Sequence, residues 1–415
     1  MKFIADFHLH SKYSRATSRD MDLEHLNDWA RIKGIKILGT GDFTHPEWFK
    51  NLKEKLEPAE EGLFKLKNLN SEIRFILTTE ISCVYSKKGK VRKIHIIVFA
   101  PSFDVVEKIN TQLAWVGNLK SDGRPILGMD AKELTKIVLN SSDDCLVIPA
   151  HAWTPWFGIF GSKSGFDSID ECFEEYSKYI YSLETGLSSD PAMNWRLSSL
   201  DKITLISCSD AHSPQKIGRE ANVFDTEINY KEIIEAIRTK NLQKFLYTIE
   251  FYPEEGKYHY DGHRNCGIRL SPKETKKYNG ICPVCGKPLT VGVFNRVEEL
   301  ADREEGFKPE GTIPFKSLVP LEEIIADVLN LNKGSKEVVK EYKNLIKKFN
   351  TEFDILLNTP EEELKKATLP EIVEGIIRVR EGKVIKEPGY DGVYGKIRIF
   401  SEGEEKSFSK QTTLF

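Results

Sequence analysis

Lys2-Phe3-Ile4-Ala5-Asp6-Phe7-His8-Leu9-His10 opens the chain, and Ile203-Thr204-Leu205-Ile206-Ser207-Cys208-Ser209-Asp210-Ala211-His212 repeats its logic about two hundred residues later. In each, a short apolar run reads as a β-strand that ends in metal-ligand residues. Residues two apart on an extended chain point to one side. His8 and His10 therefore face one point, and Asp210 and His212 face another. Imidazole with carboxylate is a donor set for zinc, manganese or iron. A lone histidine is more often a hydrogen-bonded structural residue; two paired motifs at strand ends favour ligation.

Other apolar runs follow the same rule. The run 35–41 leads into Asp42, with His45 three residues on. The run 73–79 ends at Glu80, 145–150 at His151 and 179–183 at Glu184, while 94–99 carries His95. That makes seven strands. Helical patterns at 23–32, 103–113, 132–139 and 192–200 separate most of them. Strand-helix alternation with polar residues at strand ends describes an α/β fold, a parallel β/α barrel with its site on the C-terminal face of the strands.

The set His8-x-His10, Gly41-Asp42, Glu80, His95, His151 and Asp210-x-His212, in this order, resembles the PHP (polymerase and histidinol phosphatase) metallophosphoesterases over about residues 1–250. The resemblance implies a distorted seven-stranded β/α barrel, (β/α)7, holding two or three divalent metals (Zn, Mn or Mg). Its ligands would be His8, His10, Asp42, Glu80, His95, His151, Asp210 and His212. Many members have histidine directly after the second-strand aspartate; this chain has Phe43 there. Either His45 substitutes or one metal lacks a ligand. His95 lies near the start of its strand, and a hairpin through 86–90 would carry it to the ligand end.

The 415 residues are 40% hydrophobic and 30% charged, enough for two or three domains with a large core. No apolar stretch approaches the roughly 20 residues of a membrane span. Asp6 and His8 interrupt any signal-peptide apolar region. An intracellular, nucleoid-associated protein is expected, with no membrane partner. Abundant Lys and Glu beside only 4 Met lean toward a thermophile.

Cys83, Cys145, Cys172 and Cys208 fall in apolar, strand-like contexts and read as reduced core residues. The other cysteines cluster. His263-x-x-Cys266 and Cys282-Pro-Val-Cys285-Gly286 form two ligand pairs on tight turns, which close a tetrahedral site for one structural zinc. His259 is the alternative fourth ligand. Between Lys257 and Arg296, eight basic residues meet only Asp261 and Glu274, although the whole chain carries a net charge of −3. An island of that kind, centred on Lys273, Lys276 and Lys277, suits a phosphate backbone. A solvated basic face is the plainer alternative.

Helical spacing returns at 321–329, 338–349, 361–367 and 370–380, and a short β tail follows at 395–400. The expected division is a barrel at 1–250, a Cys3His zinc module at 251–300, a helical DNA-binding module at 301–400 and a tail at 401–415.

This assembly, with the runs 5–16, 39–46, 183–195 and 258–263, is similar to the archaeal endonuclease Q family across nearly the whole chain. The resemblance implies a DNA repair nuclease. Its substrate would be double-stranded DNA, nicked 5′ of a deaminated base (uracil, hypoxanthine or xanthine) or an abasic site. The ends left would be a 3′-hydroxyl and a 5′-phosphate. Asp190, Asp210 and His212 are the catalytic candidates. Asp190 opens a helix after Glu184 and reads equally as a metal-facing acid or a helix N-cap. Selecting one altered base requires drawing it from the stack. The loop after His151 offers Trp153, Trp156 and Phe157 as a base-stacking wedge or as packing. Gln411-Thr-Thr-Leu414 matches the first half of a sliding-clamp motif, whose aromatic pair is missing; a clamp is an expected partner, with a chance match as the alternative. A PHP phosphatase for a small phosphomonoester is the rival enzyme, and a scaffold with a degenerate barrel is the rival binding protein.

Overall fold

The opening run folds as strand β1 (Lys2–Asp6). The computed structural model describes residues 1–401, and the fold is mixed α/β. Strand β1 pairs in parallel with β2 (Ile37–Gly39), and β2 in parallel with β3 (Arg74–Lys87). A two-residue turn at Lys88-Gly89, both with positive φ, returns β3 into β4 (Lys90–Ala100). Turns of that handedness match the twist of a hairpin. So β4 runs antiparallel, which departs from an all-parallel arrangement. The strand begins at Lys90, so His95 sits at its middle instead of near its start, and the reversal brings it opposite Ser82 and close to Glu80. Strand β5 (Leu146–Pro149) pairs antiparallel with β4. Strands β6 (Ser182–Glu184) and β7 (Thr204–Ile206) pair in parallel, and the Ala152 N–H donates to the Glu184 carbonyl at 2.9 Å beyond β5.

Between β7 and β1 the ladder thins to a bridge, Leu9 with Ala211. A buried amide completes the junction: Asn222 Oδ1 accepts from the Ser207 N–H at 3.0 Å and its Nδ2 donates to the Ser207 carbonyl at 2.7 Å. Asn222 belongs to β8 (Ala221–Asp225), antiparallel to β1; β9 (Phe245–Glu250) and β10 (Phe315–Ser317) extend the sheet. Phe7 meets Phe99 at 5.3 Å and Phe224 at 6.0 Å between ring centroids. Side chains of distant strands thus fill the space between them.

Helices α1 (Leu23–Lys33), α2 (Pro46–Lys55), α3 (Phe103–Leu113), α4 (Ala131–Ser141) and α5 (Tyr230–Arg238) alternate with these strands. The pattern at 192–200 becomes only a single turn, Pro191–Asn194, and a tighter turn at Ser198–Leu200. Farther on lie α6 (Pro272–Lys277), α7 (Val293–Leu300), α8 (Leu321–Val328), α9 (Lys336–Phe349) and α10 (Pro370–Arg380).

The C-terminal helices share one apolar core with α1, through residues such as Leu26, Ile324, Leu345 and Ile376. A buried ion pair, Lys33 to Glu352 at 2.7 Å, ties α1 to the segment after α9. Gly34 caps α1 at φ 88°, and a Cβ there would stand 2.8 Å from the Thr351 hydroxyl oxygen. Only glycine allows both that backbone and that approach. The last strands, Ile385–Glu387 and Lys396–Arg398, form a hairpin whose loop returns to the cysteine segment. There the Tyr260 N–H donates to the Gly389 carbonyl at 2.9 Å. The clamp-motif residues Gln411 and Leu414 lie outside the described residues. Among the described residues, no helix is long and apolar enough to cross a membrane.

Candidate metal centre and the cleft beside it

Two groups of donors converge: His8 and His10 follow β1, His151 follows β5 and Asp210 follows β7, whereas Glu80 and His95 lie in the middle of β3 and β4, because the strand expected to end at Glu80 runs on to Lys87. His8, His10, Glu80 and Asp210 form one; Glu80, His95 and His151 form the other. In the first, His10 Nε2 lies 3.1 Å from Asp210 Oδ1 and 3.2 Å from Glu80 Oε2, and His8 Nε2 lies 3.5 Å from the same Glu80 oxygen. In the second, Glu80 Oε1 is 2.6 Å from His95 Nδ1 and 3.0 Å from His151 Nε2. Donors held at about 2.0–2.2 Å from one ion stand roughly 3–3.5 Å apart. His8 Nε2, His10 Nε2 and Asp210 Oδ1 are buried without a hydrogen-bond partner. Buried polar atoms are rarely left so, and three that face one point fit a cation.

Electrostatics agree. Burial opposes charge on His8, yet Glu184, Glu80 and Asp210 hold its pKa well above the ordinary imidazole value. Burial likewise opposes charge on Glu80, but His95, Arg124 and His8 hold it well below the usual carboxylate range.

The backbone is strained where it aims these groups. Asp42, His151 and Asp210 all have positive φ, at 49°, 30° and 46°. Such conformations cost on the order of 1–3 kcal/mol each and persist where the surroundings overdetermine them.

Not every predicted ligand joins the groups. Asp42 stands behind His10: Oδ1 is 3.0 Å from His10 Nδ1, and Oδ2 accepts from the Ser11 N–H at 2.6 Å and from the hydroxyls of Ser11 and Ser14. Both oxygens are occupied, so Asp42 orients His10 instead of facing the centre. His212 turns Nδ1 to the Asp210 carbonyl at 2.9 Å; its ring is 4.6 Å from that of His10, outside the converging donors. His45 stacks on Tyr13 at 4.5 Å and offers nothing to either group. Asp190 is a helix N-cap, accepting from the Met193 N–H at 2.8 Å. Burial pushes its carboxyl up to about 6, and its charged neighbours are Glu254 and Lys386. The metal-facing alternative for Asp190 is therefore set aside. Glu184, one of the strand-end candidates in the sequence but outside the ligand set the resemblance implies, accepts from His8 Nδ1 at 2.9 Å and from the His151 N–H at 2.7 Å. One carboxylate thus orients a histidine of each group.

His263, Cys266, Cys282 and Cys285 bring their donor atoms within 4.8 Å of one another, with His263 Nδ1 3.7 Å from Cys285 Sγ. Gly267 and Gly286 follow their cysteines at φ 64° and 72°, the tight turns a knuckle needs. His259 is elsewhere, stacked with Tyr260 and Phe294.

A cleft of about 770 Å³ opens beside both groups. Its walls include His95, His151, Asp210 and Trp156 from the strand face, Tyr258 from the cysteine segment and Tyr394 from the loop of the C-terminal hairpin. The aromatic loop divides. Trp153 is fully buried and donates from Nε1 to Asn194 Oδ1 at 2.8 Å, so it is core and not a DNA contact. Phe157 packs on the His95 ring at 4.3 Å. Trp156 is 51% exposed, with Lys93 5.1 Å over its ring. Lys273 and Lys277 project from α6 to solvent, while Lys276 pairs with Glu298 at 3.3 Å. Arg296, counted in the basic island, is buried and paired with Asp167 and Glu299.

Comparisons with known proteins agree with this geometry. Residues 201–242 match the PHP-associated family model, and 320–383 match the MJ0043 C-terminal domain. The uncharacterized protein MJ0043 of Methanocaldococcus jannaschii is 34% identical over 64% of this chain and 33% of its own length; the chain thus spans about a third of that relative. The crystal structure of the lesion-specific endonuclease PfuEndoQ from Pyrococcus furiosus superposes with a TM-score of 0.87 at 30% identity, covering 100% of both chains. An endonuclease Q solved with a 27-mer duplex bearing an abasic lesion at the active site gives 0.84 at 32% identity, covering 97% of this chain and 98% of that one. With this identity sustained over all of one solved protein and 98% of the other, the chain belongs to the endonuclease Q family.

Proposed function

We propose that this protein is a metal-dependent DNA repair endonuclease. It hydrolyses the phosphodiester 5′ of uracil, hypoxanthine, xanthine or an abasic site in duplex DNA. The observation that carries the reading is the pair of donor groups sharing Glu80 at the floor of a cleft walled by three parts of the chain. The duplex at the active site of one relative supports the same substrate. In this reading β1–β7 form a distorted (β/α)7 barrel over residues 1–250, followed by a zinc module at 251–300 and a helical DNA-binding module at 301–400.

His8, His10, Glu80 and Asp210 would hold one divalent ion, and Glu80, His95 and His151 a second. Bound there, such ions supply hydroxide at neutral pH and neutralise charge on the phosphodiester. The chain's own residues prepare the site. Glu184 takes the proton side of His8 at Nδ1, which leaves the Nε2 lone pair toward the centre. Asp42 does the same for His10, and Thr154 holds His151 Nδ1 at 2.7 Å. The four thiolate and imidazole donors of the cysteine segment suit a closed structural zinc.

The test is a panel of end-labelled duplexes, each with one uracil, hypoxanthine, abasic site or normal base, incubated with Mg, Mn or Zn. Nicks 5′ of the lesions, with 3′-hydroxyl and 5′-phosphate ends, are expected. Turnover of p-nitrophenyl phosphate with every duplex intact would establish the phosphomonoesterase reading instead.

One further outcome follows from the cleft and another from the exposed lysines of α6. Trp156→Ala should slow cleavage at uracil by roughly 10-fold, since one base–aromatic stack contributes about 1–3 kcal/mol. It should spare an abasic site, which has no base to stack. Equal losses on both substrates would remove the stacking role. Charge reversal at Lys273 and Lys277 should lower duplex affinity and reduce the log–log salt slope by about two, roughly one counterion per lost phosphate contact. An unchanged slope would mean that α6 faces solvent only.

A further inference from the structure

Arg124 is placed with more care than any structural partner of Glu80 needs. Its loop is pinned on both sides. Asp122 Oδ1 accepts from the N–H of Arg124 at 3.1 Å and of Arg15 at 3.3 Å. The Gly123 N–H donates to the Tyr13 carbonyl at 3.0 Å, and the Ser82 N–H to the Pro125 carbonyl at 3.0 Å. A Cβ on Gly123 would collide with the Asp42 carboxylate and the Ser14 hydroxyl. The loop is thus locked between the segment after β1 and the middle of β3, and it aims one guanidinium at the centre.

That guanidinium is 3.0 Å from Glu80 Oε2 through Nη1, and the side chain is 27% exposed. It lines the cleft with His95, His151 and Asp210. Among the described residues, no other lysine or arginine pairs with either donor group. Lys216 and Lys333, also on the cleft, are tied to Glu323 at 3.3 and 2.7 Å. Arg219 donates from Nε to the Ser209 carbonyl at 2.9 Å.

We propose that Arg124 is a catalytic residue that binds a non-bridging oxygen of the scissile phosphodiester. The proposal rests on the nuclease reading above. A guanidinium has five N–H donors in a planar fork that matches phosphate oxygens, and Glu80 uses only part of it. In the hydrolysis, a water oxygen bonds to phosphorus and the P–O3′ bond breaks. O3′ leaves with one proton as the 3′-hydroxyl, and the water's other proton passes to solvent or stays on the 5′-phosphate. Charge on the non-bridging oxygens grows along this path, so a fixed cation there favours the transition state over the substrate.

The experiment compares Arg124→Ala and Arg124→Lys with the wild-type holoenzyme. On an abasic duplex, Arg124→Ala should lower kcat by about 10²- to 10³-fold, as removal of one oxyanion donor does elsewhere. Metal content and Tm should stay at wild-type values, Arg124→Lys should recover only part of the rate, and added guanidinium should partly rescue Arg124→Ala. Independently of DNA, inorganic phosphate should bind the metal-loaded Arg124→Ala protein at least about tenfold more weakly, the equivalent of one lost charge-assisted contact. Loss of metal from Arg124→Ala would overturn the proposal and leave Arg124 as a positioning residue for Glu80. Unchanged kcat or unchanged phosphate affinity would also overturn it. A wild-type enzyme inert on every duplex would instead sink the nuclease reading, and the phosphate measurement would still decide on Arg124.

Discussion

Glu80→Ala is expected to abolish nicking, by more than about 10³-fold, and to release at least one equivalent of metal. No other side chain in the centre is shared so widely. Oε1 meets His95 and His151, and Oε2 meets His8, His10 and Arg124. Its removal dissolves both donor groups at once, whereas loss of His151 leaves the first intact and loss of His8 leaves the second. In metal-free protein the same change should also destabilise the fold. Arg124 would lose its partner and the buried imidazoles their nearest carboxylate, and breaking a buried ion pair from one side costs about 3–5 kcal/mol. Glu80→Gln separates charge from shape: it should keep the Tm closer to wild type but still fail to cleave. Metal analysis with a uracil-duplex assay checks both variants. Wild-type cleavage by Glu80→Ala would mean that the metal centre has been assigned to the wrong residues.

The residues that face the centre were legible because two signals coincide there. A period-two chain sets direction, and a polar residue directly after a buried apolar run has little reason to exist unless it is used. That logic reaches His8, His10, Glu80, His151 and Asp210. It does not separate a ligand from the group that orients a ligand. Asp42 and Glu184 both end strands, and both hold a histidine from behind. Which of the two roles a carboxylate takes depends on neighbours brought in from elsewhere, Ser11 and Ser14 for Asp42 and the His151 backbone for Glu184. The direction of β4 was written in Lys88-Gly89, a hairpin turn inside an otherwise continuous β pattern. Arg124 left no trace, because its loop has no periodicity and its aim is set by contacts to Tyr13, Arg15 and Ser82. Trp153 and Trp156 look alike in sequence. Only the fold shows one hydrogen-bonded in the core and the other on the cleft.

Cys282→Ser combined with Cys285→Ser should lose one zinc per chain, unfold the cysteine segment locally and weaken binding of every duplex, damaged or intact. The segment has little else to hold it. Its hairpin strands, Asp261–His263 and Ile268–Leu270, are three residues each, and α6 is six. Buried apolar side chains between residues 260 and 300 are few, Leu289, Val293 and Val297 among them. So small a core does not repay the ordering entropy of forty residues. A structural zinc does, since metal binding and folding are then one equilibrium of about 10–16 kcal/mol at neutral pH. The damage should spread along the contacts the segment makes. Asp391 accepts from Thr290 Oγ1 at 2.7 Å and from the Arg264 N–H at 2.6 Å, and Gly389 holds Tyr260. Hydrogen exchange should therefore rise at 389–393 and at Tyr258 and His259 on the cleft wall. The metals at Glu80 should remain, because no strand-end donor touches the cysteine segment. Metal analysis and exchange mass spectrometry together decide the matter. An unchanged zinc count would refute the knuckle. Zinc loss with wild-type duplex affinity would show that the segment stabilises the cleft wall without contributing to DNA binding.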